Sequence, residues 1–332
     1  MMSVSGPRVS VIVPCYNEEG TIHLLLDAIL GQSFPTAALE VIIADGLSRD
    51  GTRQRIAAFQ AANPGLALRV VDNPARTIPA ALNRAIAAAQ GDILLRLDAH
   101  CVPAPDYIAN CVTALEQGLG DSVGGVWEIR PGGNGWAARS IAVAAAHPLG
   151  VGDARYRLAS QAQYVDTVPF GAFRRSLVER IGPYDEDLLT NEDYEFNARL
   201  RQSGGRIWLD PAIRSVYFAR ATFGQLARQY WRYGYWKARM LRRHPGTLRW
   251  RQALPPLFVL SLLVLSLVAV FWSPAGWLFV IESLAYVLIL ALAGAWAAWK
   301  QRDGAYLLGV PLAIGCMHLA WGSAFLWSMV TR

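Results

Sequence analysis

The stretch VSVIVPCYNEE at residues 9–19 determines the fold class of this chain. Its first six residues form a continuous run of mostly β-branched side chains, which is typical of a strand buried on both faces of a sheet. Polar side chains follow this run directly, and apolar residues at helical spacing begin at Ile22. We therefore predict a buried strand that leads through a polar turn into a helix, which is the building unit of α/β proteins.

The same unit recurs further along the chain. Strand-like runs lie at 39–45, 66–71 and 93–98, and helical spacing follows them at 53–59, 78–89 and 107–115. This alternation predicts a mostly parallel sheet with right-handed crossovers, whose ligands bind outside the carboxyl ends of the strands. The polar residues at these ends are Tyr16, Asn17, Glu18, Asp45, Ser48, Asp50, Asp72, Asn73, Arg76, Asp98 and His100.

These turns exclude two common nucleotide-binding classes. Neither the dinucleotide motif G-x-G-x-x-G nor the P-loop motif G-x-x-x-x-G-K-[ST] occurs in them. The carboxylates suit ribose hydroxyls, a uracil-type base and a divalent metal instead. Asp98 and His100, at i and i+2 after a buried strand, suit Mg or Mn bridging a diphosphate. From the residues alone, Asp98 could equally cap the next helix while His100 packs on it.

The composition indicates a membrane protein. Of 332 residues, 53% are hydrophobic and only 17% are charged, whereas soluble domains have roughly 25% charged residues. Three apolar stretches, at 254–272, 277–299 and 306–330, are each long enough to cross a bilayer. Three spans is our prediction, with two spans and a buried hairpin as the alternative. The four cysteines fit neither disulfide nor zinc spacing, which indicates a reduced protein.

The segment before the first apolar stretch is basic and aromatic. Eight Lys or Arg residues lie at 228–251, among Trp and Tyr side chains, and no Asp or Glu occurs from 211 to 281. The positive-inside rule then places residues 1–253 in the cytoplasm, with no signal peptide before them. Nucleic-acid binding is the rival use of such a patch. Its position beside an apolar span favours the membrane surface, so we predict no nucleic-acid partner.

This composition shift gives three predicted parts of the chain: an α/β domain at 1–220, an interfacial segment at 221–253 and a membrane domain at 254–332. Two ionisable residues, Glu282 and His318, fall inside the predicted spans and could mark a lipid pathway. We expect Arg242 and Arg243 near the phosphates of a lipid ligand.

Several motifs resemble, in order, those of the family 2 glycosyltransferases. They are PCYNEE at 14–19, DGLSRDGT at 45–52, DAH at 98–100, IGPYD at 181–185, NED at 191–193 and QYWRY at 229–233. The resemblance covers roughly residues 8–235 and is greatest to the succinoglycan-type exopolysaccharide glucosyltransferases of bacteria. It implies the GT-A fold, an inverting transfer and a nucleotide-sugar donor.

The resemblance implies donor-site roles for several residues. Pro14, Tyr16 and Glu18 are expected to line the nucleotide pocket, and Asp45 to contact the base or the ribose. Arg232 is expected against the diphosphate.

A divalent metal, Mg or Mn, is implied at Asp98 and His100. The family has Asp where this chain has His100, which puts the ligand set in doubt.

The remaining implied roles concern catalysis and the acceptor. Asp193 is expected to be the general base, and Trp231 and Tyr233 to lie near the acceptor sugar. The family motif Q-x-x-R-W ends here in Tyr233 rather than Trp, which puts the stacking role in doubt. A solvated helix face, paired with Arg199, is expected for Glu195.

The function implied is transfer of a sugar, with glucose as the first candidate, from a UDP-sugar to an undecaprenyl-diphosphate-linked saccharide at the bacterial inner membrane. The chain is then a multi-pass protein whose catalytic domain is cytoplasmic. Two alternatives stay open: a polyprenyl-phosphate sugar transferase and a catalytically inactive subunit that binds a nucleotide-sugar. The intact Asp98, Asp193 and Arg232 argue against the inactive subunit.

Overall fold

The computed structural model describes residues 8–331, which divide into two units. The first unit contains the residues up to 128 together with 159–217, and the second contains 129–158 together with the residues from 218 onward. The sequence-based division placed 129–158 in one continuous domain with residues 1–220. In the structure these residues group with the C-terminal helices instead.

Four parallel strands form the first half of the sheet in the first unit. They are β1 (Val9–Cys15), β2 (Leu39–Asp45), β3 (Ala67–Asp72) and β4 (Ile93–Arg96), in the order β3-β2-β1-β4. In register, Val9 lies opposite Leu39 on one side and Ile93 on the other. The central strand β1 is inaccessible to solvent at Val9 and Val11–Val13, as expected for a strand covered on both faces.

The second half of the sheet is largely antiparallel. Its strands are β5 (Val102–Pro103), β6 (Ser122–Pro131), β7 (Gln163–Tyr164), β8 (Ala172–Arg174) and β9 (Ile207–Ala219). Strand β8 pairs antiparallel with both β4 and β6, while β5 and β7 pair antiparallel with β9. The sheet is therefore mixed: the parallel prediction holds for β1–β4. Two- and three-residue strands carry no periodicity from which their direction could be predicted.

Helices of the first unit cover this sheet and position its loops. They are α1 (Ile22–Leu30), α2 (Thr52–Ala62), α3 (Ile78–Ala88), α4 (Tyr107–Glu116), α8 (Arg175–Ile181) and α9 (Glu192–Gln202), with a 3₁₀ turn at Thr36–Ala38. Helix α1 buries Ile22, Leu25, Leu26 and Ile29, the helical spacing read from the sequence. The first four helices confirm the predicted strand–helix alternation.

The second unit is helical. Its helices are α5 (Trp136–Ala145), α6 (Pro148–Val151), α7 (Arg155–Leu158), α10 (Phe223–Arg243), α11 (Trp250–Val268), α12 (Ser273–Gln301) and α13 (Tyr306–Val330), with a 3₁₀ turn at Pro245–Thr247. Among residues 8–331, three helices are long and apolar enough to cross a membrane, namely α11, α12 and α13. They correspond to the three apolar stretches predicted from the sequence.

Arg242 in α10 has a structural role that the sequence did not indicate. Its guanidinium donates hydrogen bonds to the carbonyl oxygens of Met329 at 3.2 Å and Thr331 at 3.0 Å, and to that of Ser328. Arginine donors often satisfy the free carbonyls at the end of a helix in this way. The guanidinium of Arg242 thus caps α13, and the expected contact with lipid phosphates stays a prediction.

Candidate active site

Two loops at the carboxyl ends of β1 and β2 are held together by hydrogen bonds. The backbone N–H of Asn17 donates to Ser48 Oγ at 2.8 Å, and that of Arg49 donates back to Asn17 Oδ1 at 2.9 Å. One residue on, the N–H of Glu18 donates to Thr52 Oγ1 at 2.8 Å. The first two sequence motifs therefore form one structural element, as expected where parallel strands end at the same edge.

Asp45 anchors the second loop from inside the unit. It is fully buried, and its Oδ2 accepts hydrogen bonds from the Ser48 N–H at 3.0 Å and from Arg53 Nε at 2.5 Å. Arg53 also donates to Asp72 at 2.6 Å, so it links the ends of β2 and β3. The carboxylate of Asp45 is thus engaged within the protein, and its expected contact with the base or the ribose stays a prediction. Asp45 thus shapes the loop.

The exposed part of this edge is formed by Tyr16 and Arg76, which lie beside the buried Gly46. Tyr16 is 42% exposed, and the Arg76 guanidinium lies 5.8 Å from the centre of its ring. Arg76 Nε donates to the carbonyl oxygen of Gly46 at 3.1 Å. A Cβ at Gly46 would lie 2.9 Å from Tyr16 Cδ2, so only glycine leaves the ring in this position. Pro14 lies half-buried in β1, two residues before Tyr16. An aromatic face beside a cation suits a planar base next to phosphate.

The DAH motif follows β4 in a tight turn, with the Cys101 N–H donating to the Asp98 carbonyl at 3.1 Å. His100 Nδ1 lies 3.0 Å from Glu18 Oε1, which joins this turn to the loop after β1. Sequence analysis assigned Glu18 to the nucleotide pocket and His100 to the metal; the structure brings the two together. Asp98 remains about one quarter exposed at the same edge.

The described residues contain no cluster of three or more His, Cys, Asp or Glu side chains that could by themselves hold a metal. Mg²⁺, however, is usually held by one or two carboxylates together with substrate phosphates. The partly exposed Asp98 carboxylate and the adjacent His100 imidazole fit a metal bound in that manner.

A buried arginine, Arg96, connects the DAH turn to the NED motif. It is 3% exposed at the end of β4. Its Nη2 lies 3.1 Å from Asp98 Oδ1 and 3.0 Å from Glu192 Oε1, and its Nη1 is ion-paired with Asp193. Three carboxylates from two segments separated by almost 100 residues therefore share one guanidinium.

Asp193 in this cluster is chemically distinct. Asn191 has φ of 69° and begins α9, so that Glu192 and Asp193 enter its first turn. Burial raises the pKa of Asp193 to about 7, and the neighbouring Glu192 and Asp98 carboxylates add to this rise, while Arg96 opposes it. A carboxylate with a raised pKa beside an accessible edge is suited to accept a proton near neutral pH.

Sequence analysis missed Arg96, although its signal was present. A single charged residue inside the otherwise apolar run ILLRL at 93–97 must find partners when the strand is buried. Glu195 also differs from expectation. It pairs with Arg199 Nε at 2.5 Å as predicted, but it is 1% exposed and does not lie on a solvated helix face.

The predicted acceptor residues belong to the second unit. Trp231, Arg232 and Tyr233 lie on α10, and Trp231 is 43% exposed. Gln229 Nε2 donates to the Tyr233 hydroxyl at 3.0 Å, one helical turn away. This bond fixes the orientation of the tyrosine that replaces the family's tryptophan. The predicted contacts of these residues with donor or acceptor stay predictions.

Comparison with known proteins identifies relatives of this chain. A family model described as glycosyl transferase family 2 matches residues 10–182. The succinoglycan biosynthesis protein ExoA of Rhizobium meliloti is 32% identical over 318 residues, which are 95% of this chain and 93% of ExoA. A dolichyl N-acetyl-α-D-glucosaminyl phosphate glucuronosyltransferase of Methanococcus voltae is 26% identical over 79% of this chain and 83% of its own length.

A solved structure matches across both units. The mannosyltransferase PcManGT from Pyrobaculum calidifontis, determined with GDP-Man and Mn²⁺, has a TM-score of 0.64 at 26% identity and covers 92% of this chain and 86% of its own. The resemblance that the sequence motifs indicated is thereby confirmed, as is the GT-A fold. The chain belongs to glycosyl transferase family 2.

Proposed function

We propose that this glycosyltransferase transfers a sugar, glucose in the first place, from a UDP-sugar to a saccharide carried on a polyprenyl diphosphate. The transfer inverts the anomeric centre and takes place at the cytoplasmic face of a bacterial inner membrane. The observation that carries the proposal is the raised pKa of Asp193, held by Arg96 beside the DAH turn. ExoA is named for succinoglycan biosynthesis, and the Methanococcus relative for transfer to a dolichyl-phosphate-linked sugar.

The donor nucleotide is assigned to the edge formed by the first two loops. The Tyr16 ring stacks on the base, and Arg76 and Arg232 bind the phosphates. Glu18 orients His100 through their 3.0 Å contact. Asp45 acts indirectly, because its carboxylate holds the loop that carries Gly46 and Ser48. Pro14 supports this pocket from within β1.

A divalent cation, Mg or Mn, is assigned to Asp98 and His100 together with the donor diphosphate. When bound, it would neutralise charge that develops on the leaving diphosphate. Arg96 Nη2, 3.1 Å from Asp98 Oδ1, holds that carboxylate in place at the edge.

Asp193 acts as the general base in the transfer. Its carboxylate takes the proton of the acceptor hydroxyl while the hydroxyl oxygen forms a bond to the anomeric carbon. The bond from that carbon to the diphosphate oxygen breaks, and its electron pair leaves with UDP. A positioned base of this kind contributes about 10²–10⁴-fold to the rate.

The acceptor saccharide is assigned to Trp231 and Tyr233. An exposed indole supplies an apolar face for a sugar ring, and the tyrosine hydroxyl, held by Gln229, supplies a hydrogen-bonding group. Apolar helices next to the segment that carries these residues favour an acceptor anchored in the membrane.

The test is UDP release from purified protein in lipid vesicles, with three acceptors supplied in turn: an undecaprenyl-diphosphate saccharide, undecaprenyl phosphate and a soluble saccharide. We expect turnover with the first, and its loss in Asp193→Asn. Turnover mainly with undecaprenyl phosphate would identify a polyprenyl-phosphate sugar transferase. Nucleotide-sugar binding without UDP release from any acceptor would identify an inactive subunit.

A further inference from the structure

The third apolar helix, α13, contacts residues that precede the first span at both of its ends. Near its start, Asp303 pairs with Arg139 of α5 at 3.2 Å. Near its end, Arg242 of α10 donates to the carbonyl oxygen of Thr331 at 3.0 Å. Both partners precede α11, and among residues 8–249 the structure contains no helix able to cross a membrane. These partners therefore lie on one side of the bilayer.

The middle of α13 contacts the same preceding segments, and it also contacts α12, where the Tyr286 hydroxyl lies 3.0 Å from His318 Nδ1. His318 Nε2 lies 2.8 Å from the carbonyl oxygen of Leu149 in α6. Cys316 Sγ lies 3.6 Å from the carbonyl oxygen of Phe223, at the start of α10. From Phe223 to Arg242, α10 thus runs in the same direction as α13 from Cys316 to Ser328. The start, middle and end of α13 therefore each contact an element that precedes α11 in the chain.

The packing of α10 on α13 is close. A Cβ at Gly234 would lie 2.3 Å from the carbonyl oxygen of Trp321, so the two backbones touch at this glycine. Helix α10 carries arginines and a lysine at 228, 232, 237, 239, 242 and 243. If α13 crossed the bilayer, this basic helix would enter the hydrocarbon beside it, and charged side chains there are strongly disfavoured.

Helices α11 and α12 form an antiparallel hairpin with a different character. Ser261 Oγ donates to Glu282 Oε1 at 2.6 Å, and the rings of Phe258 and Tyr286 lie 4.2 Å apart. The loop that joins these helices is apolar, with Phe271 87% exposed. Between Arg251 and Lys300 the hairpin has Glu282 as its only charged residue, and both helices are long enough to cross a bilayer.

We propose that only α11 and α12 cross the membrane, and that α13 lies in the plane of the near leaflet together with α5, α6 and α10. One face of α13 is open for the acyl chains: Leu308, Leu312, Leu319 and Val330 are exposed and recur at spacings of 4, 7 and 11 residues. This stripe is continuous in the chain with the apolar hairpin, which makes lipid its partner. The inference is independent of the reaction catalysed. It places Thr331 on the same side of the membrane as residues 245–247.

Cysteine labelling in the full-length chain tests the crossing number. Three variants are compared with the wild type, whose native cysteines are three buried and one half-buried: Gly246→Cys before α11, Ser273→Cys between α11 and α12, and a Gly-Ser-Cys-Gly extension after Arg332. A membrane-impermeant maleimide is applied to intact cells and to inverted vesicles. We expect the extension to label from the same side as Gly246→Cys, and Ser273→Cys from the opposite side. Labelling of the extension together with Ser273→Cys, or of all three from one side, overturns the proposal.

A depth measurement tests the in-plane orientation. Nitroxide labels are placed at Leu308→Cys and Leu319→Cys in a Cys316→Ser background, and their depth is read from collisions with oxygen and with a water-soluble nickel complex. In a helix along the membrane normal these positions differ in depth by about 16 Å. We expect a difference below one helical pitch, about 5 Å. A difference near the larger value overturns the proposal.

Discussion

Replacing Asp193 by Asn is expected to abolish turnover and, at the same time, to stabilise the folded protein above neutral pH. Asparagine keeps the shape of the side chain but removes both the proton acceptor and the buried negative charge. The activity loss is expected to be about 10²–10⁴-fold, the usual contribution of a positioned base. The gain in stability follows from the raised pKa of Asp193.

The sign of this change in stability follows from the number of protons that the folded and unfolded states bind. An aspartate has a pKa of about 3.9 in the unfolded chain, whereas that of Asp193 is about 7 in the folded chain. Between these pH values the folded state binds more protons, so the free energy of unfolding falls as pH rises and stays reduced above 7. Three pKa units correspond to about 4 kcal/mol. Because a quarter of the side chain is exposed, solvent screening reduces this to about 2–4 kcal/mol.

Thermal unfolding in detergent micelles, followed by tryptophan fluorescence from pH 5 to 8.5, measures the effect. At about 2–4 °C per kcal/mol, we expect Asp193→Asn to unfold about 5–10 °C above the wild type at pH 8, with the difference shrinking toward pH 5. Glu195→Gln is the matched control, because it removes the buried carboxylate that pairs with the partly buried Arg199 and should lower the unfolding temperature at pH 8. A wild type that is more stable than Asp193→Asn at pH 8 would refute the reasoning.

Three further predictions follow from the same site. Because only the ionised Asp193 accepts a proton, kcat/KM should fall as pH decreases through about 7; UDP release that is constant from pH 5.5 to 8.5 contradicts this. EDTA should abolish activity, and Mn²⁺ or Mg²⁺ should restore it. Calorimetry should show that Asp98→Ala weakens UDP binding only when metal is present. Equal weakening of UDP binding without metal would contradict the metal assignment. Gly46→Ala, whose new Cβ would meet Tyr16 at 2.9 Å, should raise the donor KM about tenfold, about 1.4 kcal/mol, with kcat nearly unchanged. Gly20→Ala, with nothing within 4 Å of its Cβ, is its control, and equal donor KM values for the two variants would contradict the assigned role of Tyr16.

The parallel half of the fold could be predicted from local patterns alone. Strands β1–β4 and the helices after them carry continuous apolar runs and helical spacing, and these determine both element type and the functional edge. The antiparallel strands β5, β7 and β8 are too short to show a period. Their direction depends on long-range pairing, which no local pattern contains.

The site was predictable residue by residue but not as a network. Motif order indicated Asp98 and Asp193, yet it gave no reason for them to share Arg96, because that contact joins segments almost 100 residues apart. The burial of Asp45 and Glu195 was missed for the same reason. Charged side chains at the end of a strand or in the first turn of a helix look exposed in a sequence, and only tertiary packing shows which of them point inward.

The interlocked loops after β1 and β2 have a consequence for changing donor preference by loop exchange. Asn17 and Ser48–Arg49 exchange hydrogen bonds in both directions, and Glu19 Oε2 accepts from the Gly51 N–H at 2.9 Å. A graft of residues 45–52 from a relative with another donor would remove half of each pair, so the Asn17 N–H and the Asn17 and Glu19 side chains would lose the partners that hold their loop in place. Residues 16–19 and 45–52 therefore form one transplantable cassette, and the smallest exchange that preserves the nucleotide edge must carry both segments.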